Sequence, residues 1–124
     1  MNIPQDLKYT KTHEWVKIDG NKAKVGITDF AQYEITDVVH VELPEIGKQV
    51  KKAQPAAVVE SVKSAFDIYS PLSGKILEVN DSVLRSPEVI NQSPYENGYL
   101  FIIEFTDEKE IADLLEADSY KNLI

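Results

Sequence analysis

One lysine of this chain is placed as if to do chemistry. Lys63 lies inside Ala57-Val58-Val59-Glu60-Ser61-Val62-Lys63-Ser64-Ala65-Phe66-Asp67-Ile68-Tyr69-Ser70-Pro71, with β-rich apolar residues close on both sides. A single charge midway along such a run reads as a hairpin tip that holds an amine in water. That amine can be a solvated decoration, a ligand or a covalent attachment point. Decoration is the usual fate of a turn lysine, but two local details weigh against it. The two-residue turn predicted here is Val62-Lys63, where a tight hairpin favours Asn-Gly or Gly-x. Unfavourable turn chemistry is often retained where the tip serves a function. Glu60 and Asp67 flank the lysine and make the tip acidic, which suits recognition by a modifying enzyme or a basic partner.

His13-Glu14-Trp15 is the second candidate. In one reading Trp15 packs and its polar neighbours are solvated. In the other, Glu14 is a carboxylate beside an apolar surface, able to pair with a small cation, because a nearby anion favours the charged form of an amine. His13 and His40 are the only histidines, and His40 falls inside an alternating strand. No H-x₃-H or H-E-x-x-H spacing occurs, so no metal site is predicted. The chain has no cysteine, which excludes disulfides, thiolate metal ligands and a cysteine nucleophile. Its five glycines fit turns or bulges, and none belongs to a phosphate-cradling pattern. A catalytic site of the chain's own is not expected.

Length and composition set the frame. The 124 residues suit one domain, 1–124, large enough for a real core. A hydrophobic share of 43% and a charged share of 27% are those of a globular chain. The formal net charge of −8 repels phosphate backbones. Lys48, Lys51 and Lys52 form the one tight basic cluster, without arginine or aromatics, and read as a solvated turn; no nucleic-acid partner is expected. No apolar run approaches the roughly 20 residues that span a bilayer, so no membrane partner is expected either. Met1–Asp6 lacks the features of a signal or transit peptide. The expected location is cytoplasmic for a bacterial chain, or the mitochondrial matrix for a eukaryotic mature chain.

The elements that must position these residues are mostly strands. Glu14–Ile18 alternates and ends at the turn Asp19-Gly20-Asn21, after which Ala23, Val25 and Ile27 share one face. Thr28 is placed to cap a short helix running to Glu34. Val38–Leu43 is a strand closed by Pro44. The lysine-bearing hairpin is expected over about residues 56–71. Lys75–Val79 and Tyr99–Phe105 are further strands; Ser86-Pro87-Glu88 has the order of a helix start, and 91–98 reads as loop. Asp107 and Glu110 resemble a capping box, so a C-terminal helix is expected over about 107–117, with Ile111, Leu114 and Leu115 on one face. Seven or more short strands with a closing helix indicate an antiparallel β sandwich or barrel.

Taken in order, these segments resemble a known family. Glu60-Ser61-Val62-Lys63 with Ser70-Pro71 and Gly74 downstream is similar to the attachment region of lipoyl carrier domains. Lys8-Tyr9-Thr10, His13-Glu14-Trp15-Val16, Val25-Gly26-Ile27-Thr28-Asp29, Ala31-Gln32, Val41-Glu42-Leu43-Pro44, Val58–Lys63 and Ser93-Pro94-Tyr95 with Gly98 resemble the H protein of the glycine cleavage system. The resemblance implies a mainly β barrel-sandwich hybrid: two antiparallel sheets with short helices and a C-terminal helix. It implies a non-catalytic carrier with lipoate joined by an amide to Lys63, in the attachment motif of Glu60, Ser61 and Val62. The arm would receive the aminomethyl group of glycine from a pyridoxal-phosphate glycine decarboxylase. A tetrahydrofolate-dependent aminomethyltransferase would take the one-carbon unit, and dihydrolipoamide dehydrogenase, with FAD and NAD, would take the electrons. Lipoate ligase or octanoyl and lipoyl transferases would load the lysine. On this reading Glu14, beside Ile27, pairs with the loaded arm's ammonium, and Asp67 is a further arm or recognition contact.

Other readings predict different cargo. A lipoyl domain of a 2-oxo acid dehydrogenase would be shorter and would lack the His13-Glu14-Trp15 segment. A biotin carrier would set methionine on both sides of the lysine, where Val62 and Ser64 stand. A lipoyl or octanoyl donor to other enzymes would keep the lysine but change its partners, and an unmodified binding scaffold would carry nothing. Ile35-Thr36-Asp37 in place of Leu-Gly-Asp, His40 in place of Phe, Tyr99 in place of Trp, and the bulky Phe66 depart from the family pattern. They leave the arm's contacts around Glu34 and Phe66 open.

Overall fold

Alternation with a period of two builds this architecture, because successive strand residues point to opposite faces. The computed structural model describes residues 1–124. Its strands are β1 (Lys8–Tyr9), β2 (Glu14–Asp19), β3 (Lys22–Ile27), β4 (Val38–Glu42), β5 (Gln49–Val50), β6 (Pro55–Ser61), β7 (Ala65–Tyr69), β8 (Gly74–Val79) and β9 (Phe101–Phe105). The helices are α1 (Asp29–Ile35), α2 (Ser82–Arg85), α3 (Val89–Gln92) and α4 (Ala117–Leu123), with a 3₁₀ turn at Glu108–Asp113. A six-stranded sheet runs in the order β1-β2-β3-β9-β8-β5, and a three-stranded sheet in the order β4-β6-β7. All pairings are antiparallel, and the sheets stay open rather than closing into one barrel.

The main core draws on both sheets, with Val25, Ile76 and Ile103 from one and Val41, Val59 and Ile68 from the other. Ala23, Val25 and Ile27 are buried on one face of β3, as their alternation predicts. A second, smaller core joins Leu7, Tyr9, Trp15, Ala117 and Tyr120. Trp15 is fully buried, and its indole N–H donates to the Pro94 carbonyl at 2.8 Å. Gly26 stands opposite Trp15 in the β2–β3 register, and a Cβ there would lie 2.6 Å from the indole. This glycine serves neither a turn nor a bulge. It makes room for a ring.

Three local expectations are corrected. The helix expected over about 107–117 is replaced by the 3₁₀ turn, an extended stretch and then α4. Asp107 does cap, accepting from the Lys109 N–H at 2.9 Å. Leu115 then exchanges two backbone hydrogen bonds with Tyr9, at 2.7 and 2.8 Å, and that pairing holds the chain extended. Helix resumes at Ala117, with Ala117 and Tyr120 facing inward. Secondly, Lys52 is not a free solvated lysine, since its ammonium pairs with Asp113 at 2.5 Å. Thirdly, the stretch read as loop at 91–98 begins inside α3. No helix is long and apolar enough to cross a membrane.

Gly74 opens β8, and a Cβ there would meet the Glu104 carbonyl oxygen at 2.1 Å, on backbone that cannot swing aside. Gly74→Ala is expected to cost about 3 kcal/mol, the upper part of the range for overpacked sites. Urea denaturation read by tryptophan fluorescence checks this through a lowered midpoint at unchanged slope.

Candidate functional site

The tip that carries Lys63 is built by Ser61. Glu60 pairs with Ala65 across β6 and β7, and the Ser61 N–H donates to the Ser64 carbonyl at 2.9 Å, leaving Val62-Lys63 as a two-residue turn. Hairpin turns of that length ordinarily need positive φ, hence glycine or asparagine. Neither Val62 nor Lys63 has it; the non-glycine residues with positive φ are His13, Thr36 and Ala53. The Ser61 hydroxyl oxygen instead accepts the N–H groups of Lys63 and Ser64, each at 3.3 Å. Ser61 is buried because it continues the inward row of Ala57 and Val59. A side chain thus does what a glycine would otherwise do, and the apolar Val62 and the lysine project outward. Lys63 is exposed and takes no part in the ion pairs Lys8–Glu116, His40–Glu42 and Lys52–Asp113.

The two acids expected to flank the lysine are spread more widely than their spacing suggests. Glu60 stands opposite His40, and with Glu42 the three put their ligand atoms within 4.8 Å of one another on the exposed face of the small sheet. Asp67 lies on the edge strand β7, opposite Val58.

Beside this hairpin lies an apolar cleft of about 250 Å³. Ile27 at the end of β3, Phe30 and Ile35 of α1, and Phe66 and Ile68 of β7 supply its apolar walls, with His13, Glu34 and Asp67 at hand as polar groups. Phe66 stands opposite Val59 in the β6–β7 register but remains exposed, so the residue that looked out of place becomes an open wall of the cleft. Thr28 holds α1 against the cleft as its N-cap, accepting the Ala31 N–H at 3.2 Å.

Glu14 sits opposite Ile27 in the β2–β3 register and is 1% exposed, so the reading that leaves it solvated is set aside. Its carboxylate accepts hydrogen bonds from the hydroxyls of Thr10 and Thr12, both at 2.5 Å, and from the Tyr69 N–H at 3.3 Å. No cation pairs with it. Burial pushes its pKa above the usual carboxylate range, against the pull of its hydrogen-bond donors in the other direction. It lines a larger depression of about 600 Å³ that also includes Lys11, Lys52 and Asp113, and Thr12 is a wall of both hollows. Sequence reasoning singled out neither Thr12 nor Thr10 as a support for Glu14. Two threonines within four residues of a strand-borne acid are the only signal that could have found them.

These residues fit a covalently carried group. An unpaired, exposed amine stands on a turn fixed by its own neighbours, and a cleft with apolar walls and the exposed acids Glu34 and Asp67 at its edge lies between β7, β3 and α1. Two open antiparallel sheets that present such a lysine define a carrier domain of the lipoyl type. The family model described as glycine cleavage H-protein matches residues 7–124. The chain is 52% identical over 124 residues to the glycine cleavage system H protein of Oceanobacillus iheyensis, covering 100% of this chain and 98% of that one. It is 46% identical over 123 residues to that of Bacillus subtilis, covering 99% and 97%. The crystal structure of a glycine cleavage system H protein from Mycobacterium marinum superposes with a TM-score of 0.88 at 37% identity, covering 97% of each chain. The chain belongs to the glycine cleavage H-protein family.

The raised pKa of Glu14 has a consequence for stability. A carboxyl whose folded value lies above its unfolded one contributes stability below the ordinary glutamate range, and that contribution is lost as pH rises through the folded value. Glu14→Gln is therefore expected to gain stability relative to the parent chain as pH rises from the ordinary glutamate range through the raised folded value. Urea midpoints of both chains across that range measure it, and parallel curves would contradict it.

Proposed function

We propose that this chain is the lipoyl-bearing carrier of a glycine cleavage system, with the cofactor joined by an amide to Lys63. The observation that carries this reading is the unpaired Lys63 amine on a turn locked by Ser61, in a chain of this family. When bound, lipoate supplies a disulfide–dithiol couple able to take up an aminomethyl group and a pair of electrons. The chain's own part is to hold, shelter and present. Ser61 fixes the pivot, so that a partner meets the lysine in one orientation. Ile27, Phe30, Phe66 and Ile68 offer apolar surface on which each methylene of an arm gains roughly 0.8 kcal/mol, enough for reversible docking. Excluding water from that cleft protects a labile amine. Glu14 and Asp67 favour the charged form of such an amine, by the same electrostatics that drives any ammonium–carboxylate pair. No thiol of the chain competes with the arm, since the chain has no cysteine.

The partners that follow are a pyridoxal-phosphate glycine decarboxylase, a tetrahydrofolate-dependent aminomethyltransferase and dihydrolipoamide dehydrogenase. A lipoate ligase or an octanoyl or lipoyl transferase would modify Lys63. This chain itself would catalyse none of these steps.

Intact mass spectrometry of the protein from its native cell is expected to find a lipoyl increment that maps to Lys63. Lys63→Arg should lose the increment and all glycine-dependent loading by the decarboxylase, while its circular dichroism stays that of the parent. A chain from native cells without the increment would overturn the proposal. Glu14→Gln should accept lipoate normally but shorten the lifetime of the loaded form about ten-fold, the size of one charge-assisted hydrogen bond. An unchanged lifetime would remove Glu14 from the arm's contacts.

A further inference from the structure

The last helix of the chain reaches the cleft through one hydroxyl. Tyr120 on α4 is fully buried, and its ring stacks on Tyr9 with centroids 4.8 Å apart and planes 9° from parallel. Its hydroxyl is hydrogen-bonded to His13 Nδ1 at 2.8 Å and to Thr28 Oγ1 at 2.7 Å. Those two residues belong to different walls. His13 lines the cleft itself, its ring centroid 4.9 Å from that of Phe30. Thr28 caps α1, the helix that supplies Phe30, Glu34 and Ile35.

His13 needs such support. Its φ of 72° lies in the left-handed region, where a non-glycine residue persists only if its surroundings hold it. Its carbonyl also accepts the Thr28 N–H at 3.1 Å, so His13 and Thr28 are tied twice, once by backbone and once through Tyr120. One order of donors satisfies all three groups: Thr28 Oγ1, which accepts from Ala31, gives its own O–H to the Tyr120 oxygen, and the Tyr120 O–H is left for His13 Nδ1. Burial holds His13 below its ordinary range, although Glu34 pulls the other way.

We propose that Tyr120 is a positioning residue of this carrier, whose hydroxyl locks His13 to the first turn of α1 and so sets the shape of the cleft from the C-terminal helix. The link to the arm rests on the cleft being the arm's shelter, as argued above; the lock on His13 does not.

Tyr120→Phe keeps the stacked ring and removes only the hydroxyl. Tyr9→Phe is its control, because the Tyr9 hydroxyl donates to the Pro4 carbonyl at 2.6 Å and touches neither His13 nor Thr28. Titration of the His13 ring by NMR, on the unmodified chain, is expected to move up toward the ordinary histidine range in Tyr120→Phe and to stay put in Tyr9→Phe. The loaded form of Tyr120→Phe should decay about five-fold faster than the parent, the size of one buried hydrogen bond, with lipoylation of Lys63 unchanged. An unmoved His13 titration, or a Tyr9→Phe chain that reproduces both effects, would overturn the positioning role. A moved titration with an unchanged lifetime would overturn its link to the arm. If the parent's loaded form proves no longer-lived than that of Glu14→Gln, Glu14 leaves the arm's contacts while the His13 titration still decides the lock.

Discussion

The pleat of β6 is the constraint on which this hairpin depends. Alternation sends Ala57, Val59 and Ser61 inward and leaves Val58 and Glu60 toward the other face. A slip of one residue would turn every side chain over, bring Glu60 into the core and carry the Ser61 hydroxyl out of reach of the turn. The register is pinned because β6 is bonded on both sides, to β4 and to β7. Valines that look like simple core filling therefore decide where a serine points, and that serine decides the turn.

A buried acid sets the second constraint. Ionised carboxylates are costly to bury unless hydrogen bonds replace the lost water. Glu14 has three such bonds and no counter-charge, an arrangement that organises the link between β1 and β2 around it. The Glu14 N–H in turn donates to the Thr10 hydroxyl at 3.1 Å, so acid and threonine hold each other. An aliphatic side chain would be simpler to fold here. An acid in such a place breaks a local rule, and local rules are commonly broken at functional sites.

Much of the fold was legible because it rests on local alternation. The strands around Asp19-Gly20-Asn21, the Thr28 cap and the two arms of the lysine hairpin follow from patterns a few residues long. The C-terminus was not legible for the opposite reason. Leu115 leaves the helical path to pair with Tyr9, 106 residues earlier, and no local periodicity records that bond. The site divides in the same way. Lys63, Glu60, Ser61 and Val62 stood together in the chain, whereas Phe30 and Phe66 meet as walls only once the sheets are in place. Gly26 was misread because its partner, Trp15, lies across a strand pair rather than beside it in a turn.

The locked turn also has a mechanical consequence. With Ser61 restraining the backbone N–H groups of Lys63 and Ser64, the lysine's Cα becomes a fixed pivot. The volume that anything attached to it can sweep is then a cap of a sphere, centred on one atom and limited by the length of the attachment. Reach becomes a geometric constant of the chain, independent of loop motion. Any enzyme acting on a group attached there must bring its own reacting atoms inside the same fixed radius.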